Sequence, residues 1–296
     1  MLNESTKRNL RRKSFYVDVV QVANGVPLFS WIDLNLTELC NRLCVFCPRV
    51  DPDLYPNQNL HMNMDLVHRI AGELRDLNYN GVIVLCGFGE PMLHPALNEI
   101  VEAFGKEIRV ELVTNGDRLT SKAAEQLMAA GLDYFVVSMY DGPEQREHFH
   151  QVFRDASIMP DRYILRDRWH SEEDGFGLKL TNRAGTIDVG KQDPITPTHP
   201  CHYPAYSLTL DWNGDALLCV QDWNKKVKAG NAYAQSLMDI WTSPTLTKYR
   251  ERLFEGKRTM APCKNCNADG TLHGFNHRDA WRAARSGRDA KMRTAG

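Results

Sequence analysis

Cys40-Asn-Arg-Leu-Cys44-Val-Phe-Cys47 decides how the rest of the chain is read. Its three thiols stand at C-x3-C-x2-C spacing, shortly after the strand-like run Trp31-Ile-Asp-Leu-Asn-Leu36. Three thiolates can hold three irons of a cubane cluster and leave the fourth iron open to another ligand. A structural zinc site would call for a fourth protein ligand nearby. The nearest candidate is His61, and the loop between has no zinc-finger spacing. That loop also carries Pro48, Pro52 and Pro56, which disfavour regular helix.

Downstream, helix and strand patterns alternate. Val67, Ile70, Ala71, Leu74 and Leu77 fall on one helical face after Asn63, and Asn80-Gly81 marks the turn that follows. The continuous apolar run Val82-Ile-Val-Leu-Cys86 fits a parallel strand covered on both faces. Further strands are predicted at 110–113, 134–139, 162–166 and 177–181. Helices are predicted after Pro95, after a cap at Thr120 or Ser121 that closes at Gly131, and near 143–155. Such alternation implies a parallel sheet with crossover helices, whose chemistry gathers at the C-terminal strand ends. Several polar residues fall at those ends: Gly87, Gly89 and Glu90 after the second strand, Asn115 after the third, Ser138 ending the fourth and Arg166 ending the fifth.

The chain has 296 residues, eight cysteines and a formal net charge of −1. That charge gives no general drive toward nucleic acid or anionic membrane. No apolar run approaches the length of a membrane span, and the first residues, MLNESTKRNLRRKSF, lack the apolar stretch of a secretory signal. A cytoplasmic protein is expected, with cysteines serving metal or redox chemistry and not disulfides. The basic cluster Lys7, Arg8, Arg11, Arg12 and Lys13 reads as a solvated helix face. Residues 1–29 are expected to be a cap without chemistry of their own.

A second cysteine set is Cys201, Cys219, Cys263 and Cys266. Within it, Ser207-Leu-Thr-Leu-Asp-Trp212 and Asp215-Ala-Leu-Leu-Cys219-Val read as a hairpin turning at Asn213-Gly214. Four thiolates can fill all four irons of one cluster; an all-thiolate zinc site would use the same ligands.

The first cysteine stretch, with Phe46 before its third Cys and Gly87-Phe-Gly-Glu90 following, resembles the radical S-adenosylmethionine (SAM) superfamily. The second set resembles that superfamily's SPASM and twitch extensions. The resemblance covers roughly residues 30–275. It implies an α/β fold, an open partial (β/α)6 barrel over 30–195, then a small α+β auxiliary-cluster domain with a β-hairpin over 196–275 and a C-terminal helix or tail over 276–296. It implies two [4Fe–4S] clusters and SAM as cofactors: Cys40, Cys44 and Cys47 holding the SAM-binding cluster, and the second set an auxiliary one. By the same resemblance Phe46 lies beside adenine, Gly87, Gly89 and Glu90 meet the SAM amino group, Asn115 and Ser138 contact ribose or carboxylate, and Arg166 pairs the carboxylate. Asn182 and Arg183 fall on the substrate side.

A single, fully ligated auxiliary cluster resembles the alcohol-oxidising branch. The expected reaction is hydrogen abstraction from a sugar, aminocyclitol or nucleoside, with the auxiliary cluster taking an electron and flavodoxin or ferredoxin acting as reductant. Cys86 keeps epimerisation open, as a hydrogen donor. His170 and Glu172, in the polar loop 167–174, are candidate bases. Peptide maturation, an iron–sulfur electron carrier and a zinc-bound interaction protein are the other readings.

Overall fold

The computed structural model describes residues 4–177 and 179–294, with the final eight of these as backbone only. Its centre is one eight-stranded sheet. In chain order the strands are β1 Trp31–Asn35, β2 Val82–Cys86, β3 Arg109–Thr114, β4 Tyr134–Met139, β5 Tyr163–Asp167, β6 Ser207–Leu210, β7 Asp215–Leu217 and β8 Lys228–Asn231. They lie side by side as β8-β7-β6-β1-β2-β3-β4-β5. From β6 to β5 every pairing is parallel, while β6, β7 and β8 pair antiparallel.

The helices α1 Glu4–Val17, α2 Met64–Asp76, α3 Leu97–Phe104, α4 Ser121–Ala130, α5 Gln145–Asp155, α6 Leu237–Trp241, α7 Pro244–Phe254 and α8 Phe275–Thr294 complete the frame. The sequence signals act where expected. Asn63 caps α2 by accepting from the Asp65 N–H, and Thr120 caps α4 by accepting from Ala123. Gly131 ends α4 in the left-handed region at φ 113°.

Strand alternation sorts the side chains. Ile32 and Leu34 on β1, Ile83 and Leu85 on β2 and Val110 and Leu112 on β3 point outward into the main core, against Val67, Ile70, Leu74, Ile100 and Phe104 of the helices. Leu66, Val67, Ile70 and Leu74 of α2 are at most 1% exposed, each contributing roughly 1.5–3 kcal/mol as an upper estimate. Trp31, Asp33 and Asn35 occupy the opposite, inner face.

Two expectations are corrected. Residues 177–181 form no strand among the described residues, Leu178 lying outside them. Gly175, Phe176 and Gly177 all have positive φ (63°, 52° and 66°), which coils the chain into the start of the expected strand. The sixth parallel strand is instead β6, which pairs Trp31 through Leu34 with Ser207 through Leu210. The hairpin therefore continues the barrel sheet. Nor is the N-terminal basic cluster wholly solvated: α1 lies across the strand starts. Its Arg12 forms an ion pair with Glu111 of β3 and sits over the rings of Trp31 and Tyr134.

Candidate functional site

The inner face of the sheet opens into a cavity of about 380 Å³. Asp33, Asn35, Cys86, Ser138, Arg166 and Thr209 reach it from five different strands, and the three-cysteine loop forms part of its wall.

That loop is held by side chains. Asn57 accepts from the Cys40 N–H at 2.8 Å and donates to the Cys40 carbonyl at 2.9 Å. Arg42 is clamped between Asp117 and Asp141. Buried Arg49 donates to Glu38 at 2.5 Å, to Pro56 O and to Phe88 O, tying the loop to the segment after β2. Burial, with the neighbouring Cys47 and Cys40, pushes the Cys44 thiol up to about 12. Metal-free, these thiols stay protonated; iron would displace the protons.

Gly87-Phe88-Gly89-Glu90 runs alongside. A Cβ on Gly89 would stand 2.2 Å from Thr37 O and 2.6 Å from Leu39 O, so only glycine lets the two segments approach. Asn35 fixes this strand end, accepting from Phe88 N–H at 2.9 Å and donating to Asp211 at 2.5 Å. Glu90 is 3% exposed and accepts three hydrogen bonds, from Met92 N–H, Thr114 Oγ1 and Asn115 N–H. Burial outweighs those donors and raises its carboxyl to about 7. Phe46 packs between Tyr140 (centroids 6.1 Å apart, nearly parallel) and Phe176 (5.1 Å), on the cavity wall.

Asn115 lines the cavity and donates to Asn41 Oδ1. Arg166 donates to Ser138 Oγ at 2.8 Å, has an unpartnered Nε and meets no carboxylate among the described ion pairs. Arg183 also lines the cavity. Its backbone is left-handed (φ 46°), as is that of Ala184 (φ 57°), which turns the chain sharply there. Cys86 lines the cavity and donates from Sγ to Asp33 Oδ1 at 3.6 Å. Burial and Asp33 keep it a thiol.

His170 and Glu172 are not brought to the cavity. Trp169 and His170 stack on one another in the crossover after β5, and exposed Glu172 accepts from the Gly190 N–H at 2.8 Å. Their loop folds on itself, so polarity there reflects its own closure.

The second set converges from three segments. Burial raises all four thiols, with Cys219 and Cys263 each further raised by other members of the set. Gly270 packs so closely that a Cβ would meet Cys201 Sγ at 2.3 Å. Sequence reasoning missed Arg258, which is 2% exposed and donates to the carbonyls of His199, Pro200, Cys266 and Ala268. One guanidinium thereby joins the Cys201 and Cys266 segments; no motif announces it. Among the described residues, no three Cys, His, Asp or Glu side chains stand close enough to share a single metal ion. Four thiols suit the four irons of a cubane, one on each.

Comparison with known proteins follows this geometry. The radical SAM superfamily matches residues 34–164, and the SPASM iron–sulfur cluster-binding domain matches 201–267. The S-adenosyl-L-methionine-dependent 2-deoxy-scyllo-inosamine dehydrogenase of Niallia circulans is 30% identical over 245 residues, 81% of this chain and 93% of that protein. The crystal structure of BtrN in complex with AdoMet and 2-DOIA aligns with a TM-score of 0.70 at 29% identity, covering 85% of this chain and 98% of that one. Streptococcus suis SuiB bound to precursor peptide SuiA shares the fold (TM-score 0.54, 14% identity, 88% of this chain and 73% of that one).

Proposed function

Because the chain belongs to the radical SAM superfamily, we propose that it oxidises a secondary alcohol of a small polyol, of the sugar or aminocyclitol class, to a ketone. The observation that carries this reading is the second thiol set: Cys263 and Cys266 buried, Cys201 and Cys219 half-buried, with Arg258 joining the Cys201 and Cys266 segments, a set that would fill a cluster without an open iron. Such a centre suits electron acceptance and not substrate ligation.

Cys40, Cys44 and Cys47 would hold a cluster that, given one electron by the reductant, would cleave SAM to methionine and a 5′-deoxyadenosyl radical, and the second thiol set would hold one able to take the electron left over. In balance, the carbon would give one hydrogen atom to the radical, forming 5′-deoxyadenosine, the hydroxyl would give its proton to solvent, and the remaining electron would pass to the second cluster, leaving C=O. The chain's own residues orient and enclose. Phe46 with Tyr140 offers an aromatic wall for adenine. Glu90 offers a carboxylate to the SAM ammonium, with Met92, Thr114 and Asn115 fixing its orientation. Arg166, lacking a carboxylate partner, suits the SAM carboxylate through charge-assisted hydrogen bonds. Arg183, likewise outside every described ion pair, suits a substrate oxygen. The reading includes a cytoplasmic setting, supported by eight free cysteines, and flavodoxin or ferredoxin as electron donor. No helix among the described residues is long and apolar enough to cross a membrane.

The test is anaerobic turnover of 2-deoxy-scyllo-inosamine and related polyols with SAM and dithionite. Matched yields of 5′-deoxyadenosine and ketone support oxidation. A second reading, epimerisation, draws support from the protonated Cys86 thiol in the cavity. It predicts an inverted carbon carrying solvent deuterium in D2O, lost in Cys86→Ala.

A further inference from the structure

The cavity has a floor as well as a mouth, and the N-terminal helix builds it. Trp31, Asp33 and Asn35 mark depth along β1, with Asn35 nearest the cysteine loop and Trp31 at the strand start, roughly 13 Å away. At the Trp31 level α1 sends Lys13 inward. Its ammonium lies 4.4 Å from the Trp31 ring centroid, 5.1 Å from Tyr206 and 5.4 Å from Tyr203. Burial lowers the pKa of this ammonium; the faces of three rings and an anion brought to it favour the charged form.

Those rings leave the N–H donors unmet. Among the described residues no carboxylate stands within ion-pair distance of Lys13 and no acceptor within hydrogen-bonding reach. Asp33 attracts it from farther off, but Asp33 already accepts from Trp31 Nε1, Ser207 Oγ and Cys86 Sγ. The neighbouring Arg12 is neutralised by Glu111. Lys13 keeps some exposure because it borders the cavity, although its ammonium lies deep within the molecule. An ammonium that borders the cavity and has no protein carboxylate beside it is open to an anionic ligand there.

We infer that Lys13 is an anion-binding subsite at the far end of the cavity from the cysteine loop, so that the substrate is a polyol bearing a carboxylate or phosphate. This deepens the proposed alcohol oxidation and rests on it. An amine at that end would face the Lys13 charge, which selects against a cationic substrate lying in the same orientation. With Arg166 complementing the SAM carboxylate, Lys13 and Arg183 remain as the two cations for substrate.

The experiment uses the full chain, reconstituted with clusters and saturated with SAM. Isothermal titration is run with four probes: D-glucose, D-glucuronate, D-glucose 6-phosphate and 2-deoxy-scyllo-inosamine. At least one anionic hexose is expected to bind tenfold or more tightly than glucose and the inosamine. The two anionic arms separate carboxylate from phosphate. Lys13→Met, which keeps the length and suits the aromatic surround, loses that preference; Lys13→Arg retains it; SAM affinity is unchanged in both. The inference is overturned if wild type favours neither anion, if Lys13→Met keeps the preference, or if Lys13→Met loses SAM as well, which marks Lys13 as a structural plug. Turnover separates the two readings. Ketone formation by wild type with no Lys13-dependent preference for either anionic hexose removes the anion subsite and leaves alcohol oxidation standing. Lys13-dependent anion binding without any ketone does the reverse.

Discussion

Glu90 accepts three hydrogen bonds yet holds its proton to about pH 7, because burial costs the carboxylate more than its neutral donors return. The sign of the consequence follows. A carboxyl whose folded value is raised costs nothing while both states are protonated. It costs progressively more as the unfolded chain ionises and the folded one does not. Apoprotein stability is therefore expected to fall between about pH 4.5 and 7, by up to about 3 kcal/mol, and then level off. Urea titrations across that range check it, and Glu90→Gln should flatten this part of the profile. Arg258 makes the opposite case, a buried cation with four carbonyl acceptors. Arg258→Met leaves those carbonyls unpaired. It is expected to halve iron content, from about eight to about four per chain, because the second thiol set loses its alignment. Iron analysis with EPR before and after SAM addition checks that the first site survives. Neither residue's energetics could be read from the sequence. Glu90 stood out through its glycine neighbours, and Arg258 had no motif because its partners are backbone carbonyls far along the chain.

At the scale of elements, helices were the most legible, since their signals are local. The Asn63 and Thr120 caps, the apolar face of α2 and the Gly131 terminus needed no tertiary context. The sixth strand was not legible in the same way. Leu178, Leu180 and their neighbours alternate as a strand would, but alternation reports burial and is silent about the pairing partner. Ser207–Leu210 was read as half of a hairpin, which it is; its second, parallel partner β1 lies more than 170 positions away in sequence. That pairing has a measurable consequence. A fragment ending at residue 195 would expose one whole edge of β1, a fully buried strand. It is expected to aggregate on expression while the full chain does not, which a solubility assay of the two checks. The cysteines were legible because ligand spacing survives without a fold. His170 and Glu172 lie outside the cavity because their loop closes on itself, and residue type alone does not show which way a loop closes.

Across the whole molecule, the ends of the chain brace the middle. Arg250 lies between Trp241 and Trp281, 4.0 and 4.1 Å from their ring centroids, and donates to Pro204 O at 2.6 Å. Trp241 donates to Pro27 O and Trp281 to Ala205 O, so α8, α7, α6 and the segment before β1 share one knot. Trp281→Ala is expected to cost about 3–5 kcal/mol in urea unfolding. Lys225 makes a similar tie nearer the site, pairing Asp211 of the hairpin at 2.6 Å and Glu38 beside the first cysteine loop. Within one sheet, β1 leads toward the first cysteine loop and β7 leads into Cys219 of the second set. Electron tunnelling decays exponentially with the gap between donor and acceptor, so any hinge between two redox centres would make the transfer rate fluctuate. A continuous sheet from β1 to β7 leaves no hinge between those two strands, so it would hold the interval an electron must cross steady.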